Sequence, residues 1–345
     1  MKKEKTLQLD RPIGKTLLLA LLIAFLVLLL AEIVLRQPAV QNVLPAPSIG
    51  SSHKKLDLNF SFLERLIKEE GPVDFLFIGS SMVKASIDPE ILAAAYNRQS
   101  GKRILCFNFG VAGFTARATA NLARILVEKY QPRVLVWGIS PESFIQGAGR
   151  KARELLAVNP WYRYKTGDFS IPGWLTEHSQ TFKYFLRLKI WLENPTLSRE
   201  LALREDGMSR YGFSRKNREG NVQADNVLRA NDLNQFLRHK ELHLSQQAFA
   251  TLKKVASLSS NVHIIWVEIP VHQSIDRIYK KTPGLRQDIR NSIIKVASQE
   301  KIDLIQSQHL VEIPDSGWKN MNHMNVKGAE IFSDWLGVQL AKEKI

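Results

Sequence analysis

Short apolar segments alternate with amphipathic helical segments along most of this 345-residue chain, and this alternation restricts the fold more than any other feature. Five segments have the length and composition of strands, the last being weaker: Val73–Ile78, Ile104–Phe109, Val134–Ile139, Val262–Ile269 and Ile302–Ile305. Apolar residues at helical spacing mark five others: Pro89–Tyr96, Ala116–Tyr130, Ser245–Leu258, Leu285–Gln299 and Val326–Ala341. Nearly continuous apolar strands separated by helices are typical of a parallel sheet covered on both faces. We therefore predict a three-layer α/β fold with about five parallel strands.

The composition excludes several classes of protein and site. Hydrophobic residues make up 45% of the chain and charged residues 23%, which excludes a disordered tail protein and a multi-span membrane protein. Cys106 is the only cysteine, so an intramolecular disulfide and a cysteine-rich zinc site are excluded. We expect Cys106 to be buried in its strand without a chemical role. No metal or nucleotide motif is present, and we expect no cofactor.

An unbroken apolar run, Leu17–Ala31, lies near the N-terminus, and the segment 16–35 around it has 20 residues. At 1.5 Å per residue, this length crosses a hydrocarbon core of about 30 Å. Five basic residues precede the run and only Arg36 directly follows it, so the positive-inside rule places the N-terminus in the cytoplasm. We predict a cytoplasmic tail at 1–15, an uncleaved signal-anchor at 16–35 and export of the remainder. A cleaved signal peptide is the alternative, although no small-x-small site follows soon after the run.

The exported part has a connecting segment and a strong positive charge. The segment 36–55 is rich in proline and small residues and is predicted as a linker to a domain at 56–345. The net charge is +15, and removing the five basic and three acidic residues before Arg36 leaves +13. This excess favours an anionic partner, and outside the cytoplasm we expect an envelope polymer or lipid headgroups rather than nucleic acid. A solvated basic surface without a partner is the alternative.

The alternation of strands and helices stops for about a hundred residues between Phe144 and Ser245, which is too long for a simple connection. We predict a largely helical insert at about 145–245. Its aromatic residues, such as Trp161 and Trp174, are interleaved with arginines and lysines. They can line a groove for an anionic or sugar-like chain, or they can form the insert's own core.

Three motifs place chemically useful residues at the carboxyl edge of the predicted sheet, where open α/β sheets bind ligands. Ser81 follows the first strand in FIGSSMV, where a tight turn beside helix N-terminal amides can expose its hydroxyl. Gly113 follows the second strand in NFGVAG, where a glycine lets a backbone N–H approach a reacting carbonyl oxygen. His323 precedes the last helix in NMNHMNVKGAEIF, from where it can reach back to the serine. Each motif alone also fits an ordinary turn.

In this order, the three motifs resemble those of the SGNH/GDSL hydrolase-like superfamily, especially its membrane-anchored branches that handle D-alanyl or acetyl groups on cell-envelope polymers. The resemblance covers residues 73 to 341 in strand order, apart from the insert, and implies a flavodoxin-like sheet. It implies that Ser81 is the nucleophile and an oxyanion donor, Gly113 a second donor and His323 the base. The implied function is an esterase or O-acyltransferase acting on acyl esters of an envelope polysaccharide or glycoconjugate, with a membrane acyltransferase as a partner.

Two positions depart from the family's pattern. Ser140 follows the third strand, where the family usually has an asparagine that completes the oxyanion hole, and Asn320 stands where an acidic residue precedes His323. Loss of one oxyanion donor costs ~10²–10³ in rate. The alternative function is therefore a catalytically degenerate protein that binds an anionic envelope polymer or scaffolds a membrane partner. If the site is active, it is either a serine–histidine dyad or a site that borrows a carboxylate from elsewhere in the chain. Asp315 and Glu268 are the candidates for that carboxylate by chain position.

Other histidines are weaker candidates. His272 follows the fourth strand at the functional edge of the sheet and can bind substrate or assist proton transfer, or have no role. His239 and His243 are four residues apart with Glu241 between them, which is not the His-Glu-x-x-His order of zinc enzymes. We predict that they belong to a solvated helical face.

Overall fold

The computed structural model describes residues 11–343 except 52, 54–55, 147, 149, 197–198, 200–206 and 216–241. The central sheet has five parallel strands: β1 (Phe75–Gly79), β2 (Cys106–Gly110), β3 (Val134–Ile139), β4 (His263–Glu268) and β5 (Asp303–Ile305). Their order is β2-β1-β3-β4-β5, which is the flavodoxin-like order. The predicted α/β fold with a five-stranded parallel sheet is therefore confirmed.

The described residues form α-helices before, between and after these strands: α1 (Arg11–Leu35), α2 (Pro38–Val43), α3 (Leu56–Glu70), α4 (Ser81–Ser86), α5 (Pro89–Ser100), α6 (Ala116–Tyr130), α7 (Arg150–Ala157), α8 (Pro160–Lys165), α9 (Ile171–His178), α10 (Gln180–Glu193), α11 (Gln246–Ala256), α12 (Leu285–Glu300) and α13 (Val326–Lys342). Short 3₁₀ turns occupy Pro141–Phe144, Ser257–Ser260, Gln273–Tyr279 and Asp315–Gly317. A separate antiparallel pair is formed by β6 (Trp318–Asn320) and β7 (His323–Met324).

Helices cover both faces of the sheet because the side on which successive strands are added changes at β2. The step from β1 to β2 runs one way, and the steps from β2 onward run the other. Right-handed connections then place α5 on one face and α6, α11 and α12 on the opposite face. In agreement, α5 packs against α13, whereas α11 packs against α6 and α12.

Three glycines stand side by side at the carboxyl edge of the sheet, where Gly79 is in register with both Gly110 and Gly138. A Cβ at Gly79 or Gly138 would overlap the Cγ2 atom of Val83, and a Cβ at Gly110 would overlap the backbone of Lys84. The absence of side chains in this row lets α4 lie directly on the ends of three strands. Since α4 begins at Ser81, the row sets the position of that residue.

The N-terminal helix is the only one in the described part of the chain that is long and apolar enough to cross a membrane, over Gly14–Leu35. Its last turns dock on the insert. The Glu32 carboxylate accepts hydrogen bonds from the Ser179 hydroxyl (2.8 Å) and from the backbone N–H groups of Gln180 and Thr181 (2.9 Å each). Glu32 thus satisfies free N–H groups at the positive end of α10 and fixes that helix to the end of α1.

The segment 36–55, predicted as a linker, has an exposed first half and packs against the domain at residues 46–51. Ala46 and Ile49 are buried in the core, and the Ser48 hydroxyl bonds to the Asp57 carboxylate of α3. Burial raises the pKa of Asp57 to about 6, while the Ser48 hydroxyl and the Ile49 N–H oppose the shift. Residues 46–51 are therefore attached to the domain rather than free.

The described residues of the insert are largely helical, as predicted, and its aromatic side chains fall into two groups. Trp161 is buried, packs edge-to-face on Phe60 and donates a 2.6 Å hydrogen bond to Glu177. Trp174 and Trp191 are instead exposed on the surface. His239 and Glu241, which were predicted on a solvated helical face, lie outside the described residues.

Candidate active site

Ser81 is the first residue of α4 and follows β1 by two positions. The hydroxyl of the preceding residue, Ser80, caps the helix by accepting a 3.2 Å hydrogen bond from the Met82 N–H. The first N–H groups of a helix have no partner within it, so the Ser81 N–H belongs to the unpaired first turn. Both its hydroxyl and its N–H are therefore placed at the carboxyl edge of a central strand.

The structure brings Ser81 and His323 together although they are 242 residues apart. The Oγ atom of Ser81 lies 2.7 Å from Nε2 of His323. His323 begins β7, where it pairs with Asn320 of β6 in a tight antiparallel turn. The distance falls within the ~2.6–3.2 Å reach of a nucleophile and its general base.

Asn320 determines which nitrogen of His323 carries the proton. Its Oδ1 atom accepts hydrogen bonds from the backbone N–H groups of Asn322 (3.1 Å) and His323 (2.9 Å), which identify this atom as the oxygen. The same oxygen lies 3.0 Å from Nδ1 of His323, so Nδ1 must be the donor. Nε2 is then left unprotonated and faces the Ser81 hydroxyl, as a general base requires.

The environment of His323 favours its neutral form. Burial, together with the positive charges of Lys319 and Lys84, lowers its pKa to about 4. Lys84 lies on α4 one turn after the serine, and Lys319 lies on β6 beside Asn320. At neutral pH the imidazole is therefore unprotonated and available to accept a proton.

Asn108 fixes α4 to the sheet. This fully buried residue of β2 donates hydrogen bonds from its Nδ2 atom to the carbonyl oxygens of Val83 (3.0 Å) and Ile87 (2.6 Å). Its Oδ1 atom accepts a 2.9 Å bond from the Gly110 N–H. Asn108 had no predicted role, although an amide inside the apolar strand segment ILCFNF is a signal that could have identified it.

Gly113 lies in the loop after β2 at the same edge as Ser81, with a φ of 78° in the left-handed region that favours glycine. His53 fixes the peptide before it, because its Nε2 atom lies 2.7 Å from the Ala112 carbonyl oxygen. The C=O and N–H of one trans peptide point in opposite directions, so this bond also fixes the direction of the Gly113 N–H. No motif in the sequence marked His53 for this position.

Ser140 follows β3 at the same edge and is buried. It precedes the 3₁₀ turn Pro141–Phe144, and its hydroxyl lies 3.4 Å from that of Ser143. Its role as an oxyanion donor stays a prediction, as does that of Gly113.

His272 is buried and held by two partners rather than directed at the Ser81–His323 pair. Its Nδ1 atom accepts the Ser274 N–H at 3.2 Å, so Nε2 is the donor to the Asp315 carboxylate at 3.1 Å. Its own N–H donates to the Met321 carbonyl at 3.0 Å, within the β6–β7 turn. These contacts make His272 a support of the turn that carries His323.

The two carboxylates predicted as candidates for a borrowed acid, Asp315 and Glu268, bond to other groups. Asp315 bonds to His272, and Glu268 forms a bidentate pair with Arg290 at 2.6 and 3.0 Å. Asn320, not a carboxylate, is the residue bonded to Nδ1 of His323. The geometry is therefore that of a serine–histidine pair oriented by an amide.

In the described ranges, no group of three or more His, Cys, Asp or Glu side chains is placed to hold a metal ion. Cys106 is buried in β2, and burial raises the pKa of its thiol well above the usual value.

No family model matches this chain, and no curated protein matches it. Among solved structures, it is similar to the inhibitor-bound form of M. smegmatis aryl esterase, with 10% sequence identity and a TM-score of 0.34. The alignment covers 78% of this chain and 96% of that chain. A likeness of this extent does not establish a shared function, so the fold assignment rests on strand order and register.

Proposed function

We propose that this protein is a membrane-anchored serine esterase or O-acyltransferase of the SGNH/GDSL hydrolase-like kind. The proposal is supported chiefly by one arrangement: Ser81 Oγ is 2.7 Å from Nε2 of His323, whose Nδ1 is 3.0 Å from the Asn320 amide oxygen. A hydroxyl, an unprotonated imidazole nitrogen and a group that fixes the tautomer are the parts needed to activate a nucleophilic serine.

The proposed reaction proceeds through an acyl-enzyme. Nε2 of His323 takes the hydroxyl proton while Ser81 Oγ bonds to the acyl carbonyl carbon, which gives a tetrahedral oxyanion. The bond to the leaving oxygen then breaks, and His323 returns the proton to that oxygen. Water or a sugar hydroxyl next attacks the acyl-serine by the same proton route. Water as acceptor gives hydrolysis, and a sugar hydroxyl gives acyl transfer.

Two backbone N–H groups are proposed to stabilise the oxyanion. The Ser81 N–H stands in the unpaired first turn of α4, and the direction of the Gly113 N–H is set by the His53 bond to Ala112. Ser140, at the end of β3, is the proposed third donor through its hydroxyl.

The proposed location is the outer face of a membrane that α1 crosses once, with the N-terminus in the cytoplasm. The apolar length of Gly14–Leu35 and the basic residues before it support this orientation. The proposed substrate is then an acyl ester on an anionic envelope polymer or glycoconjugate, which the net charge of +13 on the part after the apolar helix would attract. A membrane acyltransferase is the proposed partner, since it could supply the acyl group.

A binding protein without catalysis is the second candidate. It is favoured by the uncharged partner of His323, because an amide gives less stabilisation to the imidazolium than a carboxylate. In that function the same edge of the sheet would hold the polymer without breaking an ester.

A fluorophosphonate probe separates the two candidates, since it forms a covalent bond only with an activated serine. The full chain in detergent should be labelled, Ser81→Ala should not, and Ser298→Ala should still react because it changes only an exposed serine of α12. Labelling that persists in Ser81→Ala would exclude this serine as the nucleophile. An unlabelled wild-type chain would favour the binding protein.

A reporter fused after Ile345 tests the orientation. Activity of a reporter that works only outside the cytoplasm is expected, because the basic residues lie before the apolar run. Reporter activity only in the cytoplasm would exclude the envelope substrate.

A further inference from the structure

Helix α10 buries two of its charged residues and exposes three large apolar ones, which is the reverse of an ordinary surface helix, although Lys189 and Glu193 remain exposed as an ion pair. Lys183 and Arg187 are buried, with 6% and 7% of their surface exposed. Phe185, Leu188 and Trp191 are exposed at 53%, 50% and 58%. A helix in water buries its apolar stripe and exposes its charges, so the outer face of α10 is suited to a medium other than water.

The two buried cations of α10 interact with carboxylates of the domain, and these interactions favour one orientation of the helix. Lys183, together with Lys129, holds the pKa of Glu64 below its usual value despite burial. Arg187 interacts electrostatically with the buried carboxylate Asp57. Because both carboxylates belong to α3, turning α10 over would remove one nearby positive charge from each of them.

The apolar surface continues onto α9 and onto Phe169, two residues before it. Phe169, Ile171 and Trp174 are exposed at 70%, 67% and 45%. The α9–α10 apolar face thus consists of these three residues with Phe185, Leu188 and Trp191. Aromatic and long aliphatic side chains of this kind are typical of segments at membrane–water interfaces.

This face begins where the apolar helix α1 ends. The Arg36 guanidinium donates a 2.8 Å hydrogen bond to the His178 carbonyl, and the His178 ring lies 5.2 Å from that of Trp174. At the start of α10, Glu32 holds the Ser179 hydroxyl, and Phe182 lies 5.8 Å from Phe185 by ring centroids. The exposed face is therefore continuous with the end of the apolar helix.

We infer that the α9–α10 apolar face lies in the headgroup–acyl boundary of the bilayer that α1 spans. This inference rests on the proposed membrane anchoring but not on the proposed catalysis. An interfacial helix buries its apolar side ~5–10 Å into this boundary. With α1 and α10 joined through Glu32, such contact sets the height and tilt of the domain. The Ser81 site is then held at a constant orientation to the membrane surface.

Spin labels on the full chain in lipid nanodiscs test the depth of this face. The buried native thiol is replaced by Cys106→Ala, and a nitroxide is attached at Leu188→Cys or Trp174→Cys. Matched controls are Leu22→Cys within α1 and Lys295→Cys, which is exposed on α12. Collisions with oxygen, which concentrates in lipid, are compared with collisions with a water-soluble nickel chelate. The expected ratio favours oxygen at residues 22, 174 and 188 and favours nickel at residue 295.

Each result supports or overturns the inference. Nickel-favouring ratios at 174 and 188, with oxygen still favoured at 22, would overturn it while the anchoring stands. A nickel-favouring ratio at 22 would overturn the anchoring itself. Low access to both reagents at 174 and 188 would assign the face to a protein partner or a second copy. If the cysteine variants fold poorly, quenching of native tryptophan emission by brominated lipid, reduced in Trp174→Phe and Trp191→Phe, gives the same answer.

Discussion

The Oδ1 atom of Asn320 lies 3.0 Å from Nδ1 of His323 and also accepts the backbone N–H of His323 at 2.9 Å. The backbone of the β6–β7 turn therefore orients the Asn320 amide, and this amide orients the His323 ring. Replacing the aspartate of a serine-protease triad by asparagine costs ~10⁴ in turnover because the wrong tautomer is favoured. Here the amide cannot turn its NH₂ group to the ring without losing the bonds from Asn322 and His323. Compared with a serine–histidine–aspartate triad, the Ser81–His323–Asn320 arrangement lacks the negative charge of the aspartate.

Asn320→Asp should increase the rate of hydrolysis of a small aryl ester. The carboxylate keeps all three acceptor contacts and adds a charge that stabilises the imidazolium formed during attack. We expect a gain of at least ~10-fold, since one unit of pKa corresponds to ~1.4 kcal/mol. The gain should stay well below ~10⁴, because the tautomer is already correct.

Asn322→Asp is the matched control for this variant, because it adds the same charge two residues away without a contact at Nδ1. A similar gain in both variants would indicate a general field effect. No gain in Asn320→Asp would show that another group already supplies the charge.

The rate of serine acylation should depend on pH through His323. Attack needs the unprotonated Nε2 atom, and burial with two nearby lysines lowers the pKa of this residue to about 4. The rate should therefore stay level from neutral pH downward and fall only as the pH drops through about 4. The measurement is the pH profile of fluorophosphonate labelling, with a midpoint near 6.5 contradicting the lowered pKa.

Lys84→Met and Lys319→Met should each move this midpoint to higher pH, because each removes a positive charge that disfavours the imidazolium. Lys327→Met, which removes an exposed lysine bonded to Ser316, should leave the midpoint unchanged. The folded protein also binds the His323 proton less readily than the unfolded chain, so the contribution of His323 to the free energy of unfolding should decrease as pH falls from 6.5 towards 4. The contribution of Asp57, whose pKa is raised to about 6, has the opposite sign, so the effect is measured as the difference between the wild type and His323→Gln.

Asn108→Ala should destabilise the protein and slow the labelling of Ser81. The substitution leaves two buried carbonyl oxygens, those of Val83 and Ile87, without their donor, at ~1–3 kcal/mol for each unsatisfied group. Chemical denaturation measures the loss of stability. Asn121→Ala is the control: this exposed asparagine donates one 2.9 Å bond to the Tyr162 hydroxyl, and its loss should matter little.

The sheet was predictable because each strand is a short, nearly continuous apolar segment, and each of the five predicted segments overlaps a strand of the structure. Ser81 and His323 could be selected from the sequence because one follows the central strand and the other precedes the last helix. The contacts of Asn320 could not be predicted, since they depend on how the turn between β6 and β7 folds.

The contacts that could not be predicted from the sequence join residues that are far apart along the chain. His53 reaches the Ala112 carbonyl across 59 residues, and Glu32 reaches α10 across 147 residues from Ser179. Neither residue has a local pattern that reveals such a partner. The reversed polarity of α10 was also hidden, because sequence alone does not show that Lys183 and Arg187 face inward.

Gly138→Ala should disturb the site although it introduces only one methyl group outside it. The added Cβ would overlap the Cγ2 atom of Val83 and lie 3.0 Å from Cδ1 of Ile269, so α4 must move from the sheet edge. Overpacking of this kind costs ~1–3 kcal/mol, and the shift of α4 should move Ser81 away from His323. We expect a lower melting temperature and slower fluorophosphonate labelling. Adding Val83→Ala removes the overlapping methyl and should restore part of both losses, whereas Gly14→Ala, with no atom within 4 Å, should change neither. Unchanged labelling in Gly138→Ala would show that the glycine row does not position the nucleophile.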